Sequence, residues 1–273
     1  MKNVFILFVL LAGIMQVQEA KSQKSFKKLY YKEVNLDNSP VTISISDGVS
    51  TEAYLKFKLT VKNSSSDYIM IKTGQIILKA NGKEYRNTEK DMVVGPNDDD
   101  SRVVDIKAND LRVDQFSLEL SGFSRISAES GVVKAENFKL PVAKNEFSAG
   151  PFSLVHVKSV KKTDNVGVRF NVTYNGDQAG IVHPGMVVLR TPKATEFANM
   201  ASRGQRKPFV LSKGQTESFM VVWRDIPVSN GDMQFVEIDL LWNNCFRSTT
   251  SKEISLPAVE VVLDRALTEG KNK

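Results

Sequence analysis

One cysteine, two histidines and two tryptophans are all that 273 residues supply of some of the side chains most often found at working sites. Cys245 alone excludes an internal disulfide framework, so a hydrophobic core has to hold the fold. His156 and His183 have no zinc-ligand spacing with Cys245, and neither lies in a nucleophile motif. Excess charge of one sign is also scarce. Setting aside Lys2, Lys21 and Glu19 takes 37 basic and 31 acidic residues to 35 and 30, a net +5 without a dense basic field. Nucleic acid is therefore not an expected partner. After residue 22 no apolar run is long enough to cross a bilayer, so the mature chain is expected to lack a transmembrane segment.

What is present begins with a secretory signal pattern. Lys2 precedes the apolar stretch Val4–Val17, and Ala20-Lys21-Ser22 offers small residues where a signal peptidase reads. Cleavage is expected after Ser22, with Ala20 as the alternative, and export to the periplasm or the cell surface and extracellular space follows. The apolar core, 14 residues long, falls short of the roughly 20 that span a membrane.

The rest of the chain is written twice. LKFKLTVKN from Leu55 returns as VRFNVTYNG from Val168, and QIILKANGKEYRN from Gln75 returns as MVVLRTPKATEFAN from Met186. QFSLELSGF from Gln115 returns as FVEIDLLWN from Phe235, and FKLP ending at Pro141 is matched to ISLP ending at Pro257. Periods this long indicate duplicated domains rather than a solenoid. Within them Leu55, Phe57, Leu59 and Val61 alternate with Lys56, Lys58, Thr60 and Lys62, the pattern of a half-buried antiparallel strand. Turn residues punctuate the runs, above all Asn81-Gly82.

The expected fold is all-β: two tandem immunoglobulin-like antiparallel β-sandwiches after a cleaved signal peptide. The boundaries are a signal peptide at 1–22, a first sandwich with an N-terminal arm at 23–147, a second at 148–262 and a charged tail at 263–273. Pro141–Pro151 is the expected linker, its Ser-Ala-Gly-Pro end breaking any strand.

A TVKN strand end, a polar turn, an apolar strand and then NGKEY resemble exported bacterial immunoglobulin-like domain proteins of uncharacterised-antigen type, here as a tandem duplication. The matching residues are Asn63, Asn81, Gly82, Lys83 and Tyr85, echoed by Asn175 and Phe197. The resemblance implies envelope-associated, non-enzymatic modules and brings no catalytic residue or cofactor.

No catalytic, cofactor or metal residues are assigned. His156, between Val155 and Val157, is expected to face solvent, and Trp223 and Trp242 to be core. The acidic run Asp98-Asp99-Asp100 lacks the alternating spacing of a calcium loop and reads as a solvated hairpin tip. The candidate partner-binding loop is Ala194–Phe209, the insertion that lengthens the second copy. It gathers Arg203, Arg206 and Lys207 beside Phe197, Met200 and Phe209. The competing and preferred reading is a turn packed over a sandwich edge. The expected function is a non-enzymatic binding or assembly module of a bacterial cell envelope, acting through loops or strand edges. Its partner is another envelope protein or a surface polymer. The alternatives are a carbohydrate-binding protein and a periplasmic chaperone of pilus-type two-sandwich architecture.

Overall fold

The computed structural model describes residues 26–273, and nearly every element in it is an antiparallel strand. The expected signal peptide lies outside the described residues. Residues 26–126 supply β1 (Leu29–Tyr30), β2 (Val34–Asn38), β3 (Val41–Ser50), β4 (Tyr54–Asn63), β5 (Tyr68–Ile71), β6 (Ile77–Ala80), β7 (Lys83–Arg86), β8 (Met92–Val94), β9 (Asp99–Lys107), β10 (Gln115–Glu119) and β11 (Phe123–Ile126). Residues 132–198 continue with β12 (Val132–Val133), β13 (Phe138–Leu140), β14 (Glu146–Ala149), β15 (Phe152–Lys161), β16 (Val166–Tyr174), β17 (Ala179–Val182), β18 (Val187–Arg190) and β19 (Glu196–Ala198). A four-residue helix, Arg203–Arg206, precedes β20 (Phe209–Leu211), β21 (Thr216–Trp223), β22 (Ile238–Trp242) and β23 (Phe246–Thr249). Last come β24 (Ser251–Glu253), β25 (Val259–Val262) and a helix at Arg265–Lys271.

These strands make two corresponding sets of sheets. The first set is β1-β3-β4-β9 with β2 also on β3, β25-β10-β6-β7, and β24-β11-β5-β8. The second is β14-β15-β16-β21, β13-β22-β18-β19, and β12-β23-β17-β20. Alternation produces them: Leu55, Phe57, Leu59 and Val61 are at most 1% exposed, while the intervening lysines turn to the other face. Asn81 and Gly82 both take positive φ, the geometry that closes β6 onto β7 in two residues.

The two sets trade their closing strands. β12 and β13 fall within the stretch expected to form the first sandwich (23–147), yet they pair with β23 and β22 of the second half. β24 and β25 fall within the stretch expected to form the second sandwich (148–262), yet they pair with β11 and β10 of the first half. Phe138 and Leu140 are accordingly buried in the second core, and Val259 and Val261 in the first. At roughly 1.5–3 kcal/mol for each fully buried apolar side chain, each core takes several kcal/mol from the other's closing segment. The chain crosses forward at residues 127–131 and back at Thr250.

Hydrogen-bond partners set the correspondence between halves. Asn63 N–H donates to Asp98 O as Tyr174 N–H donates to Gln215 O, so Leu55 matches Val166 rather than Val168. Leu118, opposite Leu78, matches Leu240, opposite Leu189, rather than Ile238. Both corrections are slips of two residues, which return every side chain to its original face. Phe138 lies opposite Leu240 as Val259 lies opposite Leu118, so FKLP corresponds to Val259–Val262 and not to ISLP.

The expected linker is not strand-free. It contains β14, which pairs with β15 across Gly150-Pro151, where the proline's missing N–H leaves no ladder bond unmade. The arm extends the first sheet through β1, and Tyr31 is buried with its hydroxyl on Ser50 Oγ (2.6 Å) and Val113 O (2.7 Å). The charged tail forms the Arg265–Lys271 helix, capped by Asp264 and fastened to β1 by Thr268 Oγ1, which accepts from Tyr30 N–H (2.9 Å).

Like positions of the two halves meet face to face. Tyr68, Met70 and Ile126 pack with Ala179 and Ile181, flanked by Val93 and Val210. Met70 corresponds to Ile181 and Val93 to Val210, as in an isologous contact between two subunits.

Candidate functional site at the junction of the halves

A groove of about 750 Å³ opens beside this contact, between β8 and β20. Tyr68, Met70, Val93, Pro208, Phe209 and Val210 supply its apolar lining, and Glu89, Lys90, Asp91, Lys207 and Glu217 its charges. Each of its two flanking strands is the last in its sheet, with an unpaired outer edge among the described strands.

The second wall is shaped by the Ala194–Phe209 insertion. Asn199 is 2% exposed and braces it from within. Its Nδ2 donates to Pro184 O (2.9 Å), and its Oδ1 accepts from Ala201 N–H (2.9 Å) and Val222 N–H (3.0 Å). Ser202 and Gln205 then form a reciprocal capping box that starts the short helix.

The structure divides the six candidate residues. Phe197 and Phe209 are half-buried against the second core, and Phe197 O accepts from the buried Trp223 Nε1 (2.9 Å). Met200, Arg203, Arg206 and Lys207 are exposed. Lys207 spans the junction to Asp98 of the first half at 3.0 Å. That hydrogen bond, aided by the Asp99 N–H, holds the Asp98 carboxyl below the usual carboxylate range. Asp99 and Asp100 open β9, opposite Lys62 and Val61, and Asp100 Oδ1 accepts from Ser101 N–H (2.8 Å). Among the described residues no three metal-ligating side chains gather in one place. Sequence reasoning missed the groove, because it singled out none of Met70, Val93 and Val210.

Both histidines are half-buried and the cysteine is fully buried. His156 is half-buried and turns toward the core side of its strand, not to the outer face: Val155 and Val157 are 39% and 49% exposed, and the imidazole lies 5.7 Å from the Phe138 ring and 6.0 Å from that of Phe170. β15 alternates with Phe152, Leu154 and His156 inward, so the valines take the outer face. Burial lowers the His156 pKa, and burial together with Arg247 lowers that of His183 to about 4. His183 N–H donates to Cys245 O (2.8 Å), but Cys245 is fully buried and burial pushes its thiol up, which disfavours the thiolate. Trp223 and Trp242 are both buried. No helix among the described residues is long and apolar enough to cross a membrane.

No family model and no curated protein matches the chain. Among solved structures it is similar to red sea bream transglutaminase at 9% identity and a TM-score of 0.18, covering 84% of this chain and 32% of that one. A second similarity is to the secreted serine protease VesC from Vibrio cholerae, at 10% identity and a TM-score of 0.17, covering 83% of this chain and 51% of that one. The chain thus spans a third to a half of their lengths, and likeness at this level carries no argument about fold or function.

Proposed function

We propose that the halves are immunoglobulin-like β-sandwiches and that the chain is an exported, non-enzymatic binding or assembly module of a bacterial cell envelope. The observation that carries this reading is the junction groove, where two unpaired strand edges flank an apolar lining. An extended segment of a partner protein would take main-chain hydrogen bonds from one edge and bury alternate side chains against Met70, Val93 and Val210. Both flanking strands are only three residues long, and the charges beside them oppose indiscriminate pairing. The signal pattern of the first 22 residues supports export. The fully buried thiol, pushed up by burial, and the His183 pKa lowered to about 4, which makes that imidazole a weak base, support a binding role over nucleophilic or acid–base chemistry at those two groups.

A photo-crosslinking residue placed at Val93 or at Glu217, in cells that export the protein, tests the reading. The expected result is a discrete adduct from both groove positions and none from Val155 on the outer face of β15. Equal adducts from all three positions, or none from the groove, would overturn it.

A further inference from the structure

The exchange of closing strands leaves one covalent passage between two interlocked pieces. Residues 26–126 carry β1–β11, and residues 132–273 carry the entire second half together with the β24–β25 segment that closes the first. The passage itself is pinned at both ends, each time to its own piece. Ala128 N–H donates to Asp67 Oδ1 (3.0 Å) on the first piece. Ser130 Oγ bonds Thr249 Oγ1 (2.7 Å), and Gly131 O accepts from Ser248 N–H (2.8 Å), on the second. Only Glu129 lies between the two anchors, its side chain exposed and its carbonyl accepting from Arg247 Nη1 of the second piece.

We propose that this chain binds a second copy of itself by reciprocal exchange about Glu129, residues 26–128 of each copy being closed by residues 130–273 of the other. Every non-covalent contact between the pieces is reproduced in such a dimer. The β10–β25 and β11–β24 ladders re-form with the same register, Val259 and Val261 fill the same core, and Met70 meets the same Ile181. The anchors at Ala128 and Ser130 also survive, because neither crosses the hinge. Exchange of an identical element is a low-cost route to a closed dimer, since only the hinge conformation and the association entropy differ between the two states. The hinge is one residue long, so shortening it penalises closure within a chain and leaves closure between chains available. The inference does not rest on the proposed function, and it would stand if the groove bound nothing.

The test uses the full exported chain in two differently tagged versions, one carrying Ser117→Cys and the other Glu260→Cys. These positions face each other across β10 and β25, and native Cys245 stays buried. After co-refolding at high concentration and mild oxidation, a disulfide-linked heterodimer is expected on non-reducing gels. If the double variant in one chain closes internally while the mixed single variants remain unlinked, the proposal fails. Deletion of Glu129 gives a second reading: light scattering should show the mass doubled, and a folded monomer would overturn the idea. Should that variant not fold, the cysteine mixture still decides the question on the native hinge.

Discussion

Val261→Ala and Leu140→Ala, made separately, should each loosen the half that lies across the chain from its sequence neighbours. Val261 is fully buried in the first core, although it lies within the stretch expected to form the second sandwich. Truncation removes two methylene equivalents at about 0.8 kcal/mol each, and the cavity left behind adds about 1, for a loss of about 2–3 kcal/mol. Leu140, 1% exposed in the second core, should cost about 3–4 kcal/mol by the same reasoning. Native-state hydrogen exchange separates the two effects, because amides report the opening of their own region. Val261→Ala should speed exchange in β10 by roughly 30- to 150-fold, and Leu140→Ala should act first on β22, the strand it pairs with. Urea midpoints should fall in both variants. The result that would refute the reasoning is the opposite pattern, with Val261→Ala loosening β22 while β10 keeps its protection. That pattern belongs to two sandwiches each closed by its own sequence.

Gly131 sits at a φ of 72°, and a Cβ there would lie 1.9 Å from Ser248 O, so Gly131→Ala forces the backbone of the crossing segment away from β23. Denaturant unfolding should show a loss of about 2–4 kcal/mol, whereas Gly204→Ala, with open space around it in the short helix, should stay within about 1 kcal/mol of the parent. His183 is held neutral in the fold, its pKa depressed to about 4, while the unfolded chain takes up a proton near pH 6.5. Its contribution is therefore fully present above pH 6.5 and is lost as the pH falls from there to about 4. Solvent screening keeps it below about 3 kcal/mol. His183→Gln should flatten the stability curve over that window in urea titrations at stepped pH, and an unchanged slope would count against the burial argument.

The all-β fold was legible because burial alternates with a period of two, and Leu55 to Val61 display that period without a break. The same period hides register. Matching Leu55 to Val168 instead of Val166 keeps every buried residue buried, so nothing in the pattern penalises a slip of two. The closing strands were misaligned for a different reason. FKLP and ISLP share a proline, and the proline outweighed the alternation of Val259 and Val261, which marks the strand that fills the core. His156 was misplaced because Val155 and Val157 are the better hydrophobes, and a strand with apolar residues on both faces gives no sign of which face is inward.

The site was half visible for a related reason. Charges and aromatics crowd the Ala194–Phe209 insertion, and that composition marks a loop without saying what the loop faces. Lys207 gains its meaning from Asp98, and Val210 from Val93 and Met70, residues more than a hundred positions away that meet it only when the halves are in contact. Pairing across the repeat produces that contact. A copy that closed itself would need nothing from its neighbour, whereas here each core is incomplete without two strands from the other. The junction is thus a product of how the fold closes, and the groove inherits its shape from that closure: a change that separates the halves should remove the groove together with the stability.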